Sequence, residues 1–394
     1  MEPTVVYPAF GIIGLFVGYY LACVVRKPKI VSKPRSSISK FLQQCCPFVD
    51  QLYWPTFWCF GGRAQTVIAS VLKSHPLVNY SRELLHTPDG GILALDWVNN
   101  DNPSTPLTVL ILPGLTGTSS HNYIRHFVLQ ATQQLDCRVG VLNNRGLAGL
   151  PLKTPRVCCA ADTEDLEYVI FHIKKTKRNF PLIVVGISLG GIILTNLLCK
   201  IGEQENNNFN NMILGAAVIS TPWDLFKTSE SLEQPLNQVL FNRHLTKLLK
   251  STLKQHMSSS NLHKVNFKKS VDINDVSNLS TVREFDDKVV APLSGYKDSN
   301  EYYTAATLHI KPLEKIRVPL LCLNAADDPF APVESIPFAL LHRCPNVVMV
   351  LTRYGGHVGF TEGLLPRGSG YMEKVVLQYA KALYHQWPTN KICQ

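Results

Sequence analysis

From Leu107 onward, short runs of aliphatic and β-branched residues alternate with stretches whose apolar positions recur at helical spacing. Leu107 to Leu112, Val139 to Asn143, Leu182 to Val185, Ile213 to Ser220, Leu320 to Asn324 and Val347 to Leu351 read as strands. Leu182 to Val185 and Val347 to Leu351 are apolar throughout, and a strand apolar on both faces is covered on both. Tyr123 to Leu135, Thr163 to Lys175 and Leu189 to Ile201 read as the intervening helices. The second has Asp162 or Thr163 as its cap and acidic residues in its first turn. Strands alternating with helices predict a mostly parallel central sheet with helices on both faces, an α/β architecture. The alternation lapses from Trp223 to His309, a polar stretch of helical character between the strands. An insertion at that place would form a helical lid.

The N-terminus follows a different pattern. Val5 to Val25 contains no charged residue and, at about 1.5 Å per helical residue, is long enough for a hydrocarbon core of about 30 Å. It is expected to be a single-pass signal-anchor helix; only Glu2 stands before it, so the basic start of a cleaved signal peptide is missing. Arg26, Lys27, Lys29, Lys33, Arg35 and Lys40 follow, which places the rest of the chain on the cytoplasmic side of a membrane. Two sequons, Asn79-Tyr80-Ser81 and Asn278-Leu279-Ser280, would be usable on the lumenal side, and that orientation stays open. Phe41 to Gly62 is rich in aromatic residues and suits either a bilayer interface or packing onto the main domain. The expected organisation is therefore 1–40 anchor and basic flank, 41–80 aromatic-rich interfacial segment, 81–222 with 310–388 as the core, and 223–309 as the lid.

Composition narrows the function. With 394 residues, 45% of them hydrophobic, the chain can bury a large core. The net charge of +10 is scattered, with part of the excess just after the apolar run. Attraction to a membrane surface accounts for it, and no nucleic-acid module accompanies it. The 11 cysteines include no C-x-x-C spacing, so neither a disulfide framework nor a zinc site is suggested.

Candidate chemistry concentrates after three strands. Leu182 to Val185 runs into Gly186-Ile187-Ser188-Leu189-Gly190, a G-x-S-x-G between a strand and a helix. Glycines on either side of the serine permit a sharp turn that holds its hydroxyl clear of the sheet. Leu189 would then point its N–H at a developing oxyanion from a helix N-terminus. A serine hydroxyl needs a base, and His357 stands in the glycine loop after the last strand. The acid belongs after the preceding strand, where Asp327 and Asp328 stand side by side; Asp328 is preferred, with Pro332 four residues on, and Asp327 is the alternative. A second oxyanion donor is expected from the glycine-bearing loop after Leu112, at the N–H of Leu115. That loop lacks the G-K-[ST] ending of a nucleotide site. The scheme needs no metal or redox cofactor.

Several blocks taken together resemble a known family. They are Leu112 to Ser119, Asn143-Asn144-Arg145-Gly146, Ala161 to Glu167, Gly186 to Gly191, Asp327-Asp328-Pro329-Phe330, Tyr354 to Phe360, and in the lid Ser229 to Asn237 and Arg283 to Asp286. In order and spacing they are similar to the membrane-anchored branch of the α/β hydrolases that contains a medium-chain phosphatidylcholine phospholipase and its close siblings. The resemblance runs from the N-terminal anchor to about Gln386. It implies an esterase or phospholipase of A1 or A2 type on a lipid ester substrate, with Ser188, an aspartate of the 327/328 pair and His357 as triad. Related members are fatty-acid ester synthases or acyltransferases with the same triad, although the H-x-x-x-x-D motif of some acyltransferases is absent here. A catalytically silent binding protein on the same fold is the remaining alternative. Oligomeric state is not legible in the sequence.

Overall fold

The computed structural model describes residues 3–98, 105–176, 180–204, 208–258 and 273–386. Nine strands form one sheet: β1 (Lys29–Ser32), β2 (Ser81–His86), β3 (Ile92–Val98), β4 (Thr108–Leu112), β5 (Arg138–Asn143), β6 (Leu182–Ile187), β7 (Gly215–Ile219), β8 (Leu320–Ala325) and β9 (Val347–Thr352). Their order is β1-β9-β8-β7-β6-β4-β5-β3-β2. The strands from β4 to β9 pair in parallel, and β1, β2 and β3 add antiparallel edges.

The apolar strands have the two-sided burial their sequence requires. Along β4, Val109 and Ile111 pack into one layer while Leu110 and Leu112 pack into the other; along β6, Ile183, Val185 and Ile187 face the first layer and Leu182 and Val184 the second. The first layer holds α2 (Ser37–Cys45), α4 (Asn122–Leu135) and the C-terminal helix Tyr371–Gln386. The second holds α5 (Glu164–Thr176), α6 (Leu189–Glu203) and the helical insertion. Helix α5 opens with Asp162 Oδ1 accepting the N–H of Glu164, 2.9 Å.

The described part of the insertion between β7 and β8 consists of helices and the loops that join them, with no strand. It starts with α7 (Leu225–Glu233), capped by Asp224, and continues through Pro235–Asn237, a π-turn Gln238–Asn242, Arg243–Ser258, and a chain of shorter helices that ends at Ser299–Ala306. Residues 259–272 of the expected lid and 387–388 of the expected core lie outside the described residues.

The N-terminal apolar run folds as two joined helical pieces. Helix α1 (Pro3–Tyr19) has 17 residues and passes into a π-helical turn, Tyr20–Val24. Among the described residues no helix is long and apolar enough to cross a membrane. The end of the apolar run packs on the domain: Tyr20, Val24 and Val25 are buried against Phe60 and Tyr354, and Tyr20 Oη–H donates to Pro55 O at 2.5 Å. The basic flank is likewise part of the fold, because Lys29–Ser32 pairs with β9. The aromatic-rich segment is packed onto the domain in part. Phe41, Cys46, Val49 and Tyr53 are buried in the core, whereas Trp54, Phe57 and Trp58 are exposed.

Candidate active site

Ser188 sits between β6 and α6 with φ 54° and ψ −118°, a conformation that costs a non-glycine residue about 1–3 kcal/mol. The neighbouring glycines make it possible. A Cβ at Gly190 would stand 2.3 Å from Leu112 O, and one at Gly186 would stand 2.5 Å from Gly190 O. The Ser188 N–H donates to Ile219 O at the end of β7, 2.9 Å, which fixes the bend.

His357 follows β9 in a loop whose backbone is tied on two sides. Its N–H donates to Thr66 Oγ1 on α3 (Gly62–Leu72), 2.8 Å, and the Val358 N–H donates to Ser220 Oγ, 3.0 Å. The ring Nε2 lies 2.9 Å from Ser188 Oγ, and Nδ1 lies 2.9 and 3.1 Å from the two oxygens of Asp328. A carboxylate only accepts, so the neutral ring carries its proton on Nδ1 and presents Nε2 as the acceptor for the serine hydroxyl. Asp328 is buried, and its Oδ1 also accepts the N–H groups of Phe330 (2.7 Å) and Ala331 (3.2 Å). The Phe330 ring stacks on the imidazole at 4.1 Å between centroids.

Asp327 points elsewhere. Its Oδ1 accepts the Gly356 N–H at 2.9 Å, and its Oδ2 has no hydrogen-bond partner among the described residues. Burial, helped by the nearby charge of Asp328, pushes its carboxyl up to about 7 against the backbone hydrogen bond that lowers it. Of the adjacent pair, Asp328 reaches the imidazole and Asp327 supports the loop that carries it.

The loop after β4 folds into a tight turn, with Gly117 N–H donating to Gly114 O (2.9 Å) and Thr116 at φ 59°. No acceptor among the described residues takes the N–H of Leu115. Leu189 is the first residue of α6, so its N–H has no acceptor in its own helix. Gly114 lies against the serine: a Cβ there would be 3.5 Å from Ser188 Oγ. The turn is built around the Tyr123 hydroxyl, which accepts the Gly114 N–H at 3.1 Å and leaves no room for a side chain at Gly117. From behind, Asn143 at the end of β5 takes the Ser119 N–H on Oδ1 (3.0 Å) and donates to buried Asp96 (2.9 Å).

These groups open onto a cavity of about 590 Å³. One wall is core, including Leu115, Leu189 and Val358; the other is the helical insertion, including Leu232, Leu249 and Phe285. Helix α7 is fastened to the acid loop, where Thr228 Oγ1–H donates to Phe330 O (2.8 Å) and Ser231 Oγ–H to Pro329 O (2.7 Å). Asp286, in the insertion's second π-turn, also faces the cavity; burial pushes its carboxyl up to about 7, and the Tyr303 hydroxyl donates to it at 2.9 Å. Tyr123, Thr66, Ser220 and Phe330 were not singled out as site residues from the sequence. Each reaches the site through a contact that no local motif encodes.

A serine–imidazole–carboxylate chain at the carboxyl ends of a mostly parallel sheet defines the serine-hydrolase class of α/β protein. The family model for the α/β hydrolase fold matches residues 108–364, and the chain belongs to that family. It is 43% identical to human phospholipase ABHD3 over 371 residues, 93% of this chain and 87% of that protein. It is 32% identical to protein abhd-3.2 of Caenorhabditis elegans, over 95% of this chain and 96% of that one. With human monoacylglycerol lipase ABHD2 it shares 31% identity over 91% of this chain and 86% of that protein. Among solved structures, the Pyrococcus furiosus esterase Pf2001 aligns with a TM-score of 0.46 at 16% identity, over 80% of this chain and 97% of that chain.

Proposed function

We propose that this chain is a serine hydrolase of lipid carboxylic esters, a phospholipase of A1 or A2 type acting on phosphatidylcholine-like substrates through an acyl-enzyme on Ser188. The observation that carries this reading is the unbroken hydrogen-bond chain Ser188–His357–Asp328 at the mouth of a largely apolar cavity. The names of the similar proteins, a phospholipase and a monoacylglycerol lipase, support the substrate class.

In the reaction Ser188 Oγ bonds to the ester carbonyl carbon while its proton passes to His357 Nε2, and Asp328 stabilises the imidazolium. The carbonyl oxygen, now negative, takes hydrogen bonds from the N–H groups of Leu115 and Leu189. The C–O bond to the leaving alcohol breaks as His357 returns the proton to it. Water then repeats the sequence on the acyl-enzyme and releases a fatty acid. The described helices of the insertion, within 223–258 and 273–309, act as a lid that walls the acyl chain from water. Helix α1 and the aromatic segment hold the enzyme at a membrane, with the catalytic domain on the cytoplasmic side.

A fluorophosphonate probe is expected to label the wild-type chain and not Ser188→Ala. Equal labelling of the two sinks the assignment of the nucleophile.

Tyr123 enters the same scheme as a positioning residue for the Leu115 amide. Tyr123→Phe removes the acceptor of the Gly114 N–H and preserves the ring, so kcat is expected to fall about tenfold or more with KM little changed. Steady-state kinetics on a chromogenic ester, with a melting curve to show an intact fold, checks this. A loss confined to KM would remove Tyr123 from the oxyanion loop's function.

A further inference from the structure

Large apolar side chains are exposed in several segments that contacts link to one another. On the loop before α3, Trp54, Phe57 and Trp58 are 47%, 43% and 42% exposed. The Trp58 indole N–H donates to Leu364 O at 2.7 Å, which sets Leu364 and Leu365, 65% and 61% exposed, beside that loop. Helix α1 leans on the same place, with Phe16 against Phe57 (6.5 Å between ring centroids) and Tyr20 against Trp54 (6.4 Å).

The lid joins this surface. Arg63, at the start of α3, donates from Nε to Asn237 Oδ1 at 2.6 Å. Asn237 sits in the turn Pro235–Asn242, whose Leu236, Val239 and Leu240 are 55%, 60% and 38% exposed. Leu232, just before the turn, and Asn242, at its end, line the cavity. One element therefore presents apolar side chains to the outside and closes the cavity on the inside.

Contiguous apolar surface of this kind marks a docking site, and its chemistry selects the occupant. Tryptophan and tyrosine beside an apolar helix favour the headgroup level of a bilayer. Exposed Arg26, Arg353 and Arg367 add charge suited to phosphate headgroups: Arg26 pairs with Tyr53 through the backbone, Arg353 lies against Tyr354, and Arg367 follows Leu365 closely. We propose that the loop 52–60, the loop 362–365 and the lid turn 235–242 seat together with α1 on a phospholipid bilayer, so that the lid lies on the lipid and substrate enters the cavity from the membrane. This rests on the lipid-ester reading above and extends it from an N-terminal helix to the lid itself.

The test uses the purified full-length chain and two paired variants, Val239→Asp with Leu240→Asp on the lid and Leu364→Asp with Leu365→Asp away from the cavity. Each is assayed on long-chain phosphatidylcholine in vesicles containing an anionic phospholipid, and on a water-soluble short-chain ester. Vesicle hydrolysis is expected to fall about tenfold or more in both variants, with soluble-ester hydrolysis within about twofold of wild type. Unchanged vesicle hydrolysis in either variant overturns the proposal, as does a parallel loss on both substrates. A shift in oligomeric state with vesicle hydrolysis intact overturns it too, by assigning the surface to a second copy of the chain. Failure of the hydrolase reading looks different: soluble-ester hydrolysis would then persist in Ser188→Ala.

Discussion

Alanine at Ser188, glutamine at His357 and the two changes together are each expected to lower kcat on an ester by about 10⁶-fold, the double variant losing no more than the worse single one. The two groups act as a unit. Without the imidazole 2.9 Å away, the serine hydroxyl keeps its proton and attacks no faster than a solvent alcohol; without the serine, the imidazole has no nucleophile to activate. KM should change little, because neither substitution alters the apolar cavity walls. A residual rate of about 10³–10⁴ over water is expected from the amides of Leu115 and Leu189 together with substrate binding. Single-turnover kinetics on the three variants checks the expectation. If the losses multiply to about 10¹² the two residues work in separate steps and the acyl-enzyme scheme fails.

The parts of this molecule that were legible in the sequence are those where a local pattern has one physical cause. Strands β4 to β9 are covered on both faces, so their runs stay apolar, and each was placed to within a residue or two. Strands β1, β2 and β3 escaped because that cause is missing. β2 is largely exposed, β3 carries the buried Asp96, and β1 is four residues inside a basic stretch. Asp96 is tolerated in β3 because Arg82 pairs with it at 2.7 Å and Asn143 donates to it, a compensation visible only in three dimensions. The N-terminal run shows the same limit from the other side. Hydropathy counts its apolar residues but does not register that Tyr20, Val24 and Val25 are spent on packing against Phe60 and Tyr354.

The site divides in the same way. Ser188 and His357 stood out because a strained turn needs glycines beside it, and glycines leave a mark in sequence. Tyr123, Thr66 and Ser220 left none: Thr66 holds the His357 backbone across 291 residues and Ser220 the Val358 backbone across 138. The aspartate pair was ambiguous because neighbouring residues in a turn send their side chains different ways, and composition does not say which.

That ambiguity leads to the most discriminating exchange. Asp328→Asn is expected to lower kcat about 10⁴-fold, since an amide can donate to Nδ1 and stabilise the tautomer whose Nε2 carries the proton, which is useless as a base towards Ser188. Asp327→Asn should stay within about tenfold of wild type, because its amide oxygen can still accept the Gly356 N–H. Stability should separate the two further. The Asp327 carboxyl, pushed up to about 7 by burial, holds a proton in the folded chain that an unfolded aspartate, near 3.9, has already released. Its contribution therefore erodes stability as pH rises from about 4 to about 7 and is constant above. Asp327→Asn abolishes that term, so its Tm should match wild type most closely near pH 4 and exceed it by a growing margin up to pH 7. Asp286, also pushed up to about 7, adds a slope of the same sign to both proteins and cancels in the difference. Calorimetric scans across that range, with kcat measured on the same samples, test both halves. A 327 variant that is inactive beside an active 328 variant would reverse the two roles, and with them the choice of which carboxylate holds the imidazole.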